Sequence, residues 1–385
     1  MQSANNQDRY TTGNPAGSFA QTTARNWVDG NGNYLPDCDL MNSAAQNNLA
    51  TGGDSCSQWL TPGFGNPLSV NTVNPDILQG WNTRPADWQF GVSIQHEILP
   101  RTSVEVGYHR RSFQGFTVTD NRAIGANDYT AFTFPAPQHP DLPGGGGYTV
   151  ESINLNPNAV GRISDNYVTF SSDYGDETQY WHGVDVNVNA RLRNGLIVQG
   201  GTSTGRGVRD RCEIVAALPE TLGTQQAASC SVTERWQTQV RGLAMYTVPK
   251  VDVQVSANFQ FKPGTLGIGG NDAATNGLSL AANYQVPTAL AAQTLGRPLS
   301  SNAANQTVNV LIPGELYGDR VNQVDLRVAK ILRFGRTRTQ VGFDLYNLFN
   351  ANPGLTYNQN FGTLWLRPTS ILMPRFVRFN ATVDF

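Results

Sequence analysis

An alternation of apolar and polar residues, held for about ten positions and repeated along the chain, limits this sequence more than any other feature. In 88–98 the apolar positions are Trp88, Phe90, Val92, Ile94 and Ile98, with Gln89, Gly91, Ser93, Gln95 and Glu97 between them. In 182–192, Val184, Val186, Val188, Ala190 and Leu192 alternate with Gly183, Asp185, Asn187, Asn189 and Arg191. In 251–261, Val251, Val253, Val255, Ala257, Phe259 and Phe261 alternate with Asp252, Gln254, Ser256, Asn258 and Gln260. Val324, Leu326, Val328 and Leu332 repeat the pattern, and so do Val377, Phe379, Ala381, Val383 and Phe385. Period two is the period of a β-strand, so each run is a strand with one apolar and one wet face.

A soluble sandwich alternates in the same way, and two features argue for a membrane barrel instead. The runs reach the roughly 9–11 residues that a tilted strand needs to cross a bilayer, whereas soluble strands average about 5–6. Tight turns at 99–102, 193–195, 248–250 and 334–336 also alternate with long segments at 123–176, 206–232 and 263–319. Short turns at one end and long loops at the other are the topology of outer-membrane barrels. The reading is therefore all-β: an antiparallel transmembrane β-barrel with nine spanning strands at 84–99, 101–121, 177–193, 195–208, 233–248, 250–262, 320–334, 336–349 and 373–385. Segments 148–155 and 167–171 read as extra β-structure within the loops.

Composition agrees. Only 15% of residues are charged, below the usual ~25% of soluble domains. Asn, Gly, Thr, Ser and Gln take the place of charge, as suits strands joined by polar loops. A net charge of −2 argues against a nucleic-acid binder, which would be basic. No apolar run is long enough for a transmembrane helix. Residues 1–10 (MQSANNQDRY) carry neither the basic nor the apolar region of a signal peptide. Residues 1–83 read as an extracellular loop region and 84–385 as a partial barrel. Bacterial single-chain barrels usually have an even number of strands, and nine strands also leave two unpaired edges, which a bilayer does not tolerate. The expectation is a C-terminal portion of a larger barrel.

Several stretches go beyond pattern: 26–40 (NWVDGNGNYLPDCDL), 142–150 (LPGGGGYTV), 182–201 (HGVDVNVNARLRNGLIVQGG), 322–352 (NQVDLRVAKILRFGRTRTQVGFDLYNLFNAN) and the terminal FNATVDF. Together they resemble the C-terminal half of TonB-dependent receptors of the Oar-like type. The resemblance implies an outer-membrane barrel of about 22 strands with a plugged lumen, energised uptake of a bulky ligand, and the TonB complex as partner through a plug region. No plug or TonB box is found in this sequence. Proteins of this type are also linked to surface adhesion, so a surface protein without transport is the rival expectation. A soluble secreted all-β module is the third, disfavoured by strand length.

Five oxygen-bearing side chains, Asp29, Asn31, Asn33, Asp37 and Asp39, fall within eleven residues with Gly30 and Gly32 among them. Ca²⁺ takes 6–8 oxygen ligands on flexible loops, so Ca²⁺ is the candidate cofactor, and a polar turn cluster is the plainer alternative. Cys38, Cys56, Cys212 and Cys230 form two pairs of equal separation, both in outer loops. Local disulfides suit an exported protein, with free thiols or crossed pairing as alternatives. Asp185, Arg191, Arg241, Asp325, Arg327, Asp344 and Arg378 occupy the polar face of their strands. They are expected to face the lumen, where they meet substrate or plug, or pair among themselves as any wet interior requires. Trp88, Tyr108, Trp181, Trp236, Tyr246, Phe259 and Phe261 are expected in an aromatic girdle, with His96 and His182 at the interface. Phe385 ends an amphipathic strand and resembles the signal read by the outer-membrane assembly machinery. Residues 201–205 (GTSTG) match the nucleophile-elbow string, but no helical pattern follows them. No catalytic constellation is expected.

Overall fold

The structure is a computed structural model, described over residues 22–61, 63–65, 69–81, 83–192, 195–264, 279–335 and 337–384. Nine long strands form its main sheet: β1 (Ala86–Leu99), β2 (Thr102–Gln114), β3 (Thr178–Arg191), β4 (Leu196–Asp210), β5 (Gln237–Val248), β6 (Val253–Lys262), β7 (Val321–Phe334), β8 (Thr337–Tyr346) and β9 (Phe376–Asp384). They lie side by side in chain order, and a short strand, Ser231–Thr233, pairs with β4. Every pair in this sheet is antiparallel. Among the described residues the sheet does not close: β1 pairs only with β2, and β9 only with β8. No helix among the described residues is long and apolar enough to cross a membrane.

All nine strands match the expected segments, and their ends differ where the backbone turns. The run expected at 101–121 stops at Gly115, whose φ of 71° and close approach to the Arg84 carbonyl admit no side chain. Its continuation, Thr117–Asn121, leaves for a separate three-stranded sheet with Ser164–Phe170 and Ser69–Val73. Ser69–Val73 is thus a strand inside the region read as loop. Lys250 and Asp252, both with positive φ, delay β6 to Val253. Asn347, also left-handed, ends β8 at Tyr346.

The register carries the alternation across the whole sheet. Ile94, Val106, Val186, Thr202, Val240 and Phe261 form one cross-strand row on β1 to β6. Tyr246, Val255, Val328, Phe343 and Phe379 form another on β5 to β9. A one-residue slip in any pair would put polar side chains into this face. The face is uncovered: Trp88 is 71% exposed, Ile94 72% and Phe379 78%. The opposite face carries Gln95, Glu105, Asn187, Gly201, Arg241, Gln260 and Gln323 in one row.

The connections 100–101, 192–195, 249–252 and 335–336 are short and share one end of the sheet. The connections 115–177, 211–236, 263–320 and 347–375 share the other. Polar loops were expected at that end, yet the buried apolar core of the molecule lies in them. The hairpin Tyr129–Pro135/Thr149–Leu155 contributes Phe132, Phe134 and Val150. The hairpin Asn283–Pro287/Asn305–Asn309 and helix Thr288–Leu295 contribute Val286, Ala291, Leu295 and Val308, and Trp365 comes from the last connection. The expected extra β-structure at 148–155 and 167–171 coincides with strands Thr149–Leu155 and Ser164–Phe170.

Candidate functional site

The polar face of the main sheet is where these strands bring functional side chains together. Its floor is built of small residues. The Trp181 ring lies so close over Gly205 that a Cβ there would fall 2.2 Å from the ring. Taller polar side chains of neighbouring strands rise around this floor. A cavity of about 570 Å³ is lined by Glu105, Asp185, Asn187, Ser203, Gln239 and Arg241. A second, of about 610 Å³, continues past Asn189 and Gln199 to Glu97, Arg101 and Arg191. A third, of about 290 Å³, shares Ser203, Gln239 and Arg241 with the first and reaches Trp181 and Lys262. Joined end to end, they form one polar groove across β1 to β6.

Ion pairs and hydrogen bonds organise this face. The Asp185 carboxylate lies 3.4 Å from His109 Nε2, and its Oδ1 is buried without a hydrogen-bond partner. Arg241 donates to Gln239 Oε1 at 3.0 Å. Further along, Asp344 is 5% exposed and takes bonds from Arg378 Nη2 at 2.9 Å and Asn380 Nδ2 at 2.7 Å. Arg327 Nε sits 3.7 Å from the same carboxylate, and Arg327 Nη2 donates to Asn380 Oδ1 at 3.1 Å. One buried carboxylate thus ties β7, β8 and β9 together. Asp325 accepts from Gln323 Nε2 at 2.9 Å and from the Asn347 amide at 2.8 Å, and so anchors the turn that ends β8.

The seven expected polar-face residues all lie on that face. Arg327, Asp344 and Arg378 meet in one cluster, Asp185 and Arg241 line one cavity, Arg191 lines the next, and Asp325 stands by itself with amide partners. Phe385 lies outside the described residues. Trp181, expected in the aromatic girdle, is on the polar face opposite Arg111 and Gly207. Its odd number places it with Asp185, the signal that would have assigned it. Glu105, His109, Gln199 and Gln239 line or brace the groove and were missed, although the same parity marks them. Residues 201–205 lie within β4, extended and paired on both sides, so Ser203 sits in a strand and not at a strand-to-helix elbow.

Outside the sheet, Cys38–Cys56 and Cys212–Cys230 are both disulfide-bonded. In the first of these loops four of the five oxygen-bearing side chains serve as turn caps. Asp29 accepts from the amides of Gly32 and Tyr34, Asn31 and Asn33 each accept from an amide two residues on, and Asp39 accepts from Met41. Asn31 also donates to Asp37 at 2.5 Å. Among the described residues no three acidic, histidine or cysteine side chains converge on one point. The organising group is Asp54, fully buried, which the motif did not include. It accepts from the Asp37 amide, the Trp27 indole and the Gly30 amide, and these bonds hold its carboxyl below the usual carboxylate range.

No family model matches the chain, and no curated protein matches it.

Proposed function

We propose that this chain is part of an outer-membrane β-barrel of the TonB-dependent receptor class, Oar-like in type, whose polar face lines the lumen for energised uptake of a bulky ligand. The observation that supports this best is the register. It places a continuous uncovered apolar face on one side of nine strands and a groove of polar groups on the other. In water such a face exceeds what soluble monomers expose, whereas in a bilayer it is the lipid side. The two unpaired edges require further strands to close the barrel, since hydrocarbon cannot satisfy their amides and carbonyls. About 22 strands would give a lumen of the plugged-transporter class. The long connections then lie outside the cell, where disulfides persist. The partners in this reading are outer-membrane lipid, the barrel-assembly machinery and the TonB complex.

A second reading has an observation of its own. Three of the four long connections share one folded core, which suits a surface or adhesion protein that displays a rigid cap, with Ca²⁺ held at Asp29–Asp39. Growth of a deletion strain on candidate ligands, with and without the energising complex, separates the two. Uptake that depends on that complex supports import. Growth that ignores it, together with lost surface attachment, supports adhesion.

A further inference from the structure

One row on the lipid-side face breaks the apolar pattern. Phe90, Arg110, His182 and Arg206 face one another across β1 to β4. Each arginine is pinned on a ring: Arg110 lies 4.4 Å over Tyr180, and Arg206 4.9 Å over Trp236. His182 accepts from Arg206 Nε at 3.2 Å, and an accepting Nε2 belongs to a neutral imidazole. The two guanidinium charges are therefore the charge of the row. Among the described residues no carboxylate lies within 4.0 Å of either, although arginines on the polar face are paired with Asp87, Asp344 or Glu177.

The level of the row gives these charges a meaning. Phe90 is nine residues from Leu99, the end of β1 at the short turns. At about 3.4 Å per residue and a tilt of about 40°, that is roughly 23 Å across the membrane, close to the ~25 Å apolar band of such barrels. The row thus stands at the outer interface, on the side of the long connections. A single arginine there would snorkel to water. Two arginines two strands apart, about 10 Å between their backbones, each held by an aromatic face and lacking an acidic partner, make a site for two anions. Arginine matches phosphate with paired charge-assisted hydrogen bonds.

We propose that Arg110 and Arg206, with Tyr180 and Trp236 as their platforms, bind the headgroup of an outer-leaflet lipid that carries two phosphoryl groups. The inference rests on the barrel reading for the level of the row, and the test keeps the two apart. The full protein is extracted from its membranes and titrated by native mass spectrometry. The probes are bisphosphorylated lipid A, monophosphorylated lipid A and free pyrophosphate. Wild type is expected to retain the bisphosphorylated lipid about tenfold better than the monophosphorylated one, with pyrophosphate failing to compete. Arg110→Gln with Arg206→Gln is expected to lose roughly 100-fold in retention, while Lys330→Gln, at the other end of the same face, changes nothing. Equal retention of the two lipids by wild type overturns the proposal without recourse to any variant. Equal retention by the double variant also overturns it, and competition by pyrophosphate reassigns the site to free phosphate. Protein that fractionates with membranes yet shows these results leaves the barrel reading intact. Protein that stays in the aqueous fraction removes both.

Discussion

Val106→Arg tests whether the apolar face meets lipid. Val106 lies in the middle of β2, opposite Ile94 on β1 and Val186 on β3, and is 42% exposed. Ile94 is five residues from Leu99. At about 3.4 Å per residue and a tilt of about 40°, the row lies about 13 Å above the short-turn end, near the middle of a ~25 Å band. An arginine on the lipid face at mid-depth costs about 2–4 kcal/mol, a factor of about 30 to 700 in the unfolding equilibrium. At a water-facing site that is this exposed, the same change stays within about 0.5 kcal/mol. The two environments thus predict separable outcomes. Urea unfolding of the full protein in phospholipid vesicles, followed by tryptophan fluorescence, reads the difference. Glu105→Gln, one residue away on the polar face, controls for the chemistry of substitution and is expected to shift stability little. A Val106→Arg shift within about 0.5 kcal/mol of wild type would refute the lipid assignment.

Asp344→Asn removes the carboxylate that joins β7, β8 and β9. A charged hydrogen bond contributes about 1.5–3 kcal/mol, and because Arg378 is more than half exposed the expected cost is discounted to about 2 kcal/mol in all. Amide exchange at Val377 and Phe379 is the readout, and unchanged protection there rejects the clamp. Burial, aided by Asp120, raises the Glu220 carboxyl above its ordinary value. The folded state therefore holds this proton more tightly than the unfolded chain does, so stability is greatest below the ordinary glutamate range and falls as pH rises through the raised value. Exchange in the 211–236 connection should accelerate across that window, and Glu220→Gln should flatten the profile; a profile that keeps its slope in the variant assigns it elsewhere. Removal of Ca²⁺ by a chelator is expected to speed proteolysis within 26–60, whereas unchanged cleavage leaves Asp29, Asn31, Asn33 and Asp39 as turn caps alone and Asp37 as the partner of Asn31.

The nine strands were legible because period two is a local property: each of Val184, Val186 and Val188 announces its face without reference to any other strand. Their ends were less so. The positive φ of Lys250, Asp252 and Asn347 follows from turn geometry and not from apolar pattern. The polar-face residues are readable by parity, and Trp181 follows parity rather than the interfacial preference of its residue type. What the residues did not announce was partnership. That Asp344 would gather Arg327, Arg378 and Asn380 depends on the register of three strands. The loop core was hidden for a related reason. Phe132, Val286, Leu311 and Trp365 come from three connections, and none forms a periodic run long enough to mark a core. Asp54 lies outside the acidic string it organises, so only the folded loop reveals it.

The shared core of the long connections also bears on the order of assembly. Four of the eight strand pairs close over a few residues, but the Thr294 hydroxyl meets the Thr133 carbonyl across 161 residues of chain. Contacts of such separation pay their loop-closure entropy before they return any energy. Loop-closure entropy thus favours a cap that consolidates after the strands that carry its pieces have been brought side by side. Its outer surface is then a mosaic of distant segments. An antibody that recognises it would read several connections at once, and a substitution in one would alter the footprint presented by the others.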